Sequence, residues 1–207
     1  MRYDAEHKAR TRITLLAEAA KAIRAEGPHK IGVAEIMARA GLTHGGFYAH
    51  FDSKDAMVAA AIGCMFEEAL AAFERGTSGR APARALDAYI CTYLSERHRD
   101  ARETGCPVAS LAADLPRLGK PARREFANGY AALAAALSNK FATLDLPEPQ
   151  KLASSVLGEM VGALSLARCV ADAKQSSRIL AASRDGLRQR LGLRAPRTGA
   201  ARSTRRR

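Results

Sequence analysis

A chain of 207 residues, 47% of them hydrophobic, is long enough for a sizeable core and suits one or two domains. The net charge of +12 invites a nucleic-acid partner, but eight of the arginines stand in residues 188–207, where there is no acid. The absence of an uncharged apolar run of ~18 residues argues against a transmembrane helix, the N-terminus has no apolar signal core, and none of Cys64, Cys91, Cys106 and Cys169 forms a C-x-x-C pair, which argues against zinc. A cytoplasmic protein with free thiols, no metal and no cofactor is the expectation.

Residues 1–8 are expected to fray. A first helix follows to about Glu26, with Ile13, Leu16, Ala17, Ala20 and Ile23 as its inward face and Gly27 and Pro28 as its stop. Thr11 and Arg12 near its start are candidates for phosphate contact or plain surface. A short second helix, 33–40, places Val33, Ile36, Met37 and Ala40 at i, i+3, i+4, i+7 spacing on one face.

The stretch 41–51 reads Gly-Leu-Thr-His-Gly-Gly-Phe-Tyr-Ala-His-Phe. Gly41 suits the left-handed residue that closes a helix, and Thr43 can cap the next one by accepting a backbone N–H. Two short helices around a tight glycine turn make a helix-turn-helix, whose second helix reads the major groove with its N-terminal residues. The same spacing also serves an ordinary turn between helices. Gly45 and Gly46 cost helix stability, about 1 kcal/mol each relative to Ala, and permit close approach of backbone to a partner surface.

Further along, a helix from Asp52 or Ser53 to about Arg75 is apolar around much of its girth, through Ala56, Met57, Ala60, Ala61, Cys64 and Met65, as expected of a buried connector. Pro82 opens a helix with Leu86, Tyr89, Ile90, Tyr93 and Leu94 inward. Gly105-Cys106-Pro107 starts a short one, Pro121 begins a longer one with Phe126, Tyr130, Leu133, Leu137 and Phe141 in a stripe, and two more span about 150–171 and 177–191. Ser154, Gly158 and Gly162 leave a smooth strip, suited to intramolecular packing or to a two-fold dimer in which one patch meets itself.

Residues 10–62, about a quarter of the chain, resemble the DNA-binding domain of the TetR/AcrR transcriptional regulators. The resemblance rests on Ile13, Leu16, Ala17, Ala19, Ala20, Gly27, Val33 to Ile36, Ala40 to Thr43, and above all on Gly46-Phe47-Tyr48-Ala49-His50-Phe51 followed by Ser53-Lys54. Gly32 departs from the Ser or Thr usual there, a weaker but acceptable cap. The resemblance implies an all-α protein of about nine helices. A three-helix helix-turn-helix domain, 1–52, would precede a larger effector-binding and dimerisation domain, 53–193, and a disordered Arg-rich tail, 194–207. It also implies a four-helix interface between two subunits.

Expected DNA-binding residues are Thr43, His44, Gly45 and Gly46 for base edges, and Tyr48, His50 and Lys54 for phosphates, the last three supported most by the resemblance. Phe47 and Phe51 read as core. The double-stranded DNA partner is expected to be a palindromic operator, matching a homodimer. A small-molecule effector is expected between helices of the second domain, with Tyr89, Tyr93, Cys106, Asn128, Tyr130 and Arg168 as candidate ligand-binding residues; each is also a plausible structural residue. Cys106, at a helix start where the positive end of the dipole favours a thiolate, is either a redox or electrophile sensor or a small buried residue beside a turn. The expected function is a repressor released from DNA by a small molecule; the alternatives are a DNA-binding regulator without a ligand and a thiol-based sensor. No H-E-x-x-H or Gly-rich phosphate loop points to an enzyme.

Overall fold

The computed structural model describes residues 2–193, and their side chains except those of residues 2–5 and 44. The tail 194–207 lies outside the described residues, as does the side chain of His44. The helices, in chain order, are α1 (Arg2–Glu26), α2 (Val33–Arg39), α3 (Lys54–Thr77), α4 (Pro82–Tyr93), α5 (Glu96–Asp100), α6 (Pro107–Leu111), α7 (Lys120–Ala142), α8 (Pro149–Cys169) and α9 (Ala173–Arg190). Three 3-10 turns join them: His44–Ala49, Arg102–Thr104 and Leu115–Arg117. No strand occurs among the described residues.

The first helix begins at Arg2, so the expected fraying of the first eight residues is not seen. Its buried stripe is Leu15, Ala19, Ala22 and Ile23, with Ala20 beside it. Ile13, expected inward, is 67% exposed, and Leu16 and Ala17 are only half-buried. The segment Ile-Thr-Leu-Leu-Ala-Glu-Ala-Ala-Lys-Ala-Ile is apolar on most sides, so periodicity offers two rival stripes. The one containing Leu15 prevails where α1 packs against both α2 and α3.

Ser53 caps α3, its hydroxyl accepting from the Ala56 N–H at 3.1 Å. Buried residues ring the helix, among them Met57, Val58, Ile62, Met65, Phe66 and Phe73, because it packs on α1, α4, α6 and α7. This is the connector expected from its composition. Its closest crossing is with α7. A Cβ on Gly129 would lie 2.1 Å from Phe66 Cγ, so only glycine fits there. Phe66 meets Phe126 edge-on, with centroids 5.3 Å apart.

The chain then returns through α8, which buries Val156, Leu157, Met160, Ala163, Leu164 and Ala167 against α7 and α9. Arg188 pairs with Asp87 at 2.6 Å and Arg190 with Glu159 at 2.9 Å, fastening α9 to α4 and α8. In length and composition α3 and α8 both suffice to cross a membrane, although neither holds an uncharged apolar run of that length. Both instead lie packed within the bundle. Their few charges, such as Glu67 and Glu68 on α3 and Arg168 on α8, sit outside the packed stripes.

The N-terminal unit of α1, α2 and the following turn packs on the bundle through α1 and α3, and a buried cation, Arg24, adds polar ties across that seam. Arg24, near the end of α1, donates to Glu68 Oε2 at 2.6 Å and the Met65 carbonyl at 3.3 Å on α3. It also donates to the Glu103 carbonyl at 3.3 Å in the turn Arg102–Thr104. Glu68 remains half-exposed while the Arg24 side chain is buried, so the guanidinium gains charge-assisted hydrogen bonds that offset its own desolvation.

Candidate nucleic-acid interface

The helix-turn-helix is built by backbone hydrogen bonds close in sequence. At the end of α2, Leu42 N–H donates to the Met37 carbonyl at 2.8 Å and Gly41 N–H to that of Ala38 at 3.0 Å. With Gly41 at φ +71°, this is a Schellman closure, and it turns the chain sharply at a residue that bears the left-handed conformation without a Cβ penalty. The following segment, expected to be an α-helix, is the 3-10 turn His44–Ala49. Its bonds run from Gly46 N–H to Thr43 O at 3.1 Å and from His50 N–H to Phe47 O at 2.9 Å. Six residues containing two glycines are too short and too flexible to repay a full α-helical nucleus. Thr43 occupies the cap position but its hydroxyl makes no capping bond. That oxygen is left available to a partner.

Phe47 and Phe51 anchor the turn, 1% and 4% exposed, with ring centroids 5.7 Å apart. Their burial turns the intervening residues outward: Tyr48 is 72% exposed although apolar for most of its surface. Thr43 and Gly45 are exposed, and Gly46 is half-buried, where a Cβ would lie 3.4 Å from Met37 Cε. Lys54, at the first position of α3, is half-buried and reaches the His29 carbonyl at 3.4 Å. The exposed N–H groups of that helix start favour an anion beside it.

His50 is half-buried, and its Nδ1 is enclosed with no partner. Burial first, then the charges of Lys8, Arg12 and His7, hold its pKa below the ordinary histidine value. The imidazole is therefore neutral near pH 7. Arg12 is committed internally: it donates to the His50 carbonyl at 2.5 Å and lies 4.4 Å over the Phe51 ring. It braces the reading turn against α1. The influence of Lys8 and His7 on His50 places the basic start of α1 beside the same face. Sequence spacing gave no signal for this, since 42 residues separate Lys8 from His50.

The candidate ligand residues do not form one group. Tyr89, Tyr93 and Cys106 pack together with His98 in the interior, where burial pushes the Tyr89 phenol well above its ordinary value. Tyr89 and Tyr93 centroids are 6.1 Å apart, Tyr93 and His98 4.6 Å. The Cys106 N–H donates to His98 Nε2 at 3.1 Å, which leaves Nδ1–H to donate to the Tyr93 carbonyl at 2.7 Å. Tyr93 Oη lies next to the buried Cys106 thiol without a well-formed hydrogen bond. Cys106 does cap a helix, but α6 has five residues and its dipole is correspondingly short. Asn128 is exposed on α7, Tyr130 is half-buried there, and Arg168 lines a cleft against α5 while its charge still reaches Tyr93 and Cys106. No cluster of His, Cys, Asp and Glu suited to a metal ion occurs among the described residues.

Comparison with known proteins agrees with this architecture. Residues 15–61 match the model of the bacterial regulatory proteins of the tetR family. A TetR transcriptional regulator from Chloroflexus aurantiacus superposes with a TM-score of 0.77 at 23% identity, over 90% of this chain and 96% of that one. Escherichia coli NemR in its reduced form gives 0.76 at 20% identity, over 86% and 96%. A TetR-family regulator from Agrobacterium tumefaciens gives 0.73 at 20%, over 88% and 98%. No curated protein sequence matches. The chain thus carries a TetR-family DNA-binding helix-turn-helix at its N-terminus and folds as the TetR/AcrR transcriptional regulators do.

Proposed function

We propose that the protein is a cytoplasmic dimeric repressor that binds a palindromic operator and leaves it when a small molecule binds the domain formed by residues 53–193. The observation that carries the reading is the reading turn itself. Buried Phe47 and Phe51 hold an exposed Tyr48, an uncommitted Thr43 hydroxyl and the bare backbone of Gly45 beside the Lys54 helix start. Phosphate contacts from Tyr48, His50 and Lys54 position such a turn, and Thr43, His44, Gly45 and Gly46 meet base edges. A dimer is supported by α8. Gly158 and Gly162 have open space where a Cβ would stand, and Leu166 further along is 60% exposed, so the smooth strip is not used within the chain. Arg24 supports the coupling, since it ties α1 to both α3 and the Arg102–Thr104 turn.

The test is binding to the DNA immediately upstream of the protein's own gene across a salt series, with an unrelated fragment of equal length as control. Selective binding with a dimer-sized footprint is expected. Equal and steeply salt-dependent binding to both fragments would reduce the interaction to phosphate attraction and remove the reading. A second reading, a thiol-based response, is favoured by the contact of Cys106 with Tyr93 and by the likeness to reduced NemR. Under it, oxidant or electrophile releases DNA from the wild type and not from Cys106→Ser; identical responses would dismiss it.

A further inference from the structure

Outside the interior aromatic cluster, one concavity combines size with unbalanced charge. It is an open cleft of about 310 Å³ between α5, the Arg102–Thr104 turn and the α8–α9 junction. Three guanidinium groups line it, Arg99, Arg102 and Arg168, against one acid, Asp100. The Arg99–Asp100 pair, at 2.7 Å, cancels one charge. Arg168 donates instead to the carbonyls of Arg99 at 3.0 Å and His98 at 3.1 Å. Among the described residues no carboxylate pairs with it or with Arg102. The cleft therefore holds two positive charges without counter-ions. Burial, and further down the order of causes the nearby Arg102 charge, pull Arg168 below the ordinary guanidinium value, so an anion there relieves a repulsion already present.

The apolar part of the lining is Ala167, Val170, Ala171 and Ala173. The arginines are also well braced. Arg99 donates to Ser176 Oγ at 3.0 Å, and that hydroxyl donates to the Ala167 carbonyl at 2.6 Å. Gly105 lies under Arg168, where a Cβ would come within 2.8 Å of its Nη2. A planar, preset guanidinium suits an oxyanion bidentately. Leu166 and Arg168 are two residues apart, about 200° around the helix, so the cleft and the smooth strip of α8 face different ways.

We infer that this cleft is the effector site, and that it takes a small organic anion whose carboxylate or phosphate meets Arg102 and Arg168 while a short apolar body lies against Val170 and Ala173. The inference rests on the small-molecule reading above and supplies its ligand class and its route. Arg102 opens the same three-residue turn whose Glu103 carbonyl is held by Arg24 of α1. An anion that draws Arg102 toward Arg168 shifts this turn and changes how α1 is seated. The ligand acts only through its differential affinity for the two seatings.

The test uses the full chain and two probes, inorganic pyrophosphate and phthalate, titrated calorimetrically at constant ionic strength into the wild type, Arg102→Gln and Ala173→Trp. Arg102 is exposed and its side chain makes no bond that its loss would break, and Ala173→Trp fills the cleft without removing an arginine. At least one probe is expected to bind the wild type saturably, with a dissociation constant raised at least ten-fold in both variants and unliganded melting temperatures unchanged. Equal binding by all three proteins, which share the arginine tail, would overturn the site, as would no saturable binding by the wild type. Coupling is read separately: the binding probe should release operator DNA from the wild type and not from Arg102→Gln. DNA retained with the cleft filled would overturn the effector role. Failure of the unliganded wild type to select any DNA would strike the repressor reading and leave the cleft titration standing.

Discussion

The reading turn and the arginine cleft both present polar groups to a partner, but they are held in opposite ways. The turn is local. Its bonds span three to five residues, and two phenylalanines four positions apart fix which side chains face outward. The cleft is assembled from afar: Arg168 holds carbonyls 69 and 70 residues away, and Arg99 reaches a serine 77 residues away. A locally built surface keeps its shape when its neighbours shift. One assembled from distant segments changes whenever any of them moves, and this suits it to sensing. The two are linked through Arg24 of α1, which holds the Glu103 carbonyl in the turn that walls the cleft.

That contrast can be broken by mutation, and the largest effect should be at the local surface. If Tyr48 and Lys54 hold phosphates as proposed, Tyr48→Ala with Lys54→Ala should cost about 3 kcal/mol, or about 100-fold in operator affinity, with melting unchanged; quantitative footprinting and a thermal melt check the two. A melting shift as large as the affinity loss would mean that these residues support the fold.

Next comes the α3–α7 crossing beneath both surfaces. Gly129→Ala drives a methyl into Phe66 and should cost about 2 kcal/mol net of its better helix propensity. Gly63→Ala on α3, whose Cβ would stand 3.5 Å from Glu125 Oε2, should be neutral or slightly stabilising. Urea denaturation of the pair separates steric exclusion from loss of glycine flexibility. Arg24→Leu should cost about 1.5 kcal/mol of stability. It should also leave DNA binding in place while abolishing release by the anion, which the fluorescence anisotropy of labelled operator measures.

The smallest effect is in pH. His98 and His50 both have pKa values held below 6.5, in each case chiefly by burial. The unfolded chain therefore takes up protons first as pH falls below about 6.5, and the native state loses stability from there down through its own lower values. Above that window neither contributes. His98→Gln should flatten the slope of denaturation midpoint against pH between 7.5 and 5. At His50 a bound phosphate favours the charged imidazole, so operator affinity should rise as pH falls through the same window, and not in His50→Gln.

Helix order, the connector and the reading turn were legible because their signals are short-range: Gly41, the Phe47–Phe51 pair, Ser53 as cap. The errors arose where sequence offers equivalent choices. Apolar residues on every side of α1 hid which stripe was inward, and two glycines concealed a 3-10 turn within an expected helix. Tyr89, Tyr93, Cys106, Asn128, Tyr130 and Arg168 look alike in sequence, each a ligand-binding or a structural residue; only the fold packs Tyr89, Tyr93 and Cys106 together and leaves Asn128 exposed on α7. Arg24, Arg99 and Arg102 were not singled out at all. An arginine in a helical sequence looks like solvated surface, and only the tertiary fold brings it to a carbonyl or a cavity.

The anchorage of α1 at Arg24 also has a mechanical consequence. From Arg24 back to Lys8 the helix extends about 24 Å, and to Arg12, which braces the reading turn, about 18 Å. With the pivot at one end, a tilt of about 5° displaces Arg12 by roughly 1.6 Å and Lys8 by roughly 2 Å, on the axial rise of a rigid helix. A small rotation of the helix about Arg24 is thus felt most at the end that braces the reading turn. In a two-fold assembly the displacement doubles, because both levers swing.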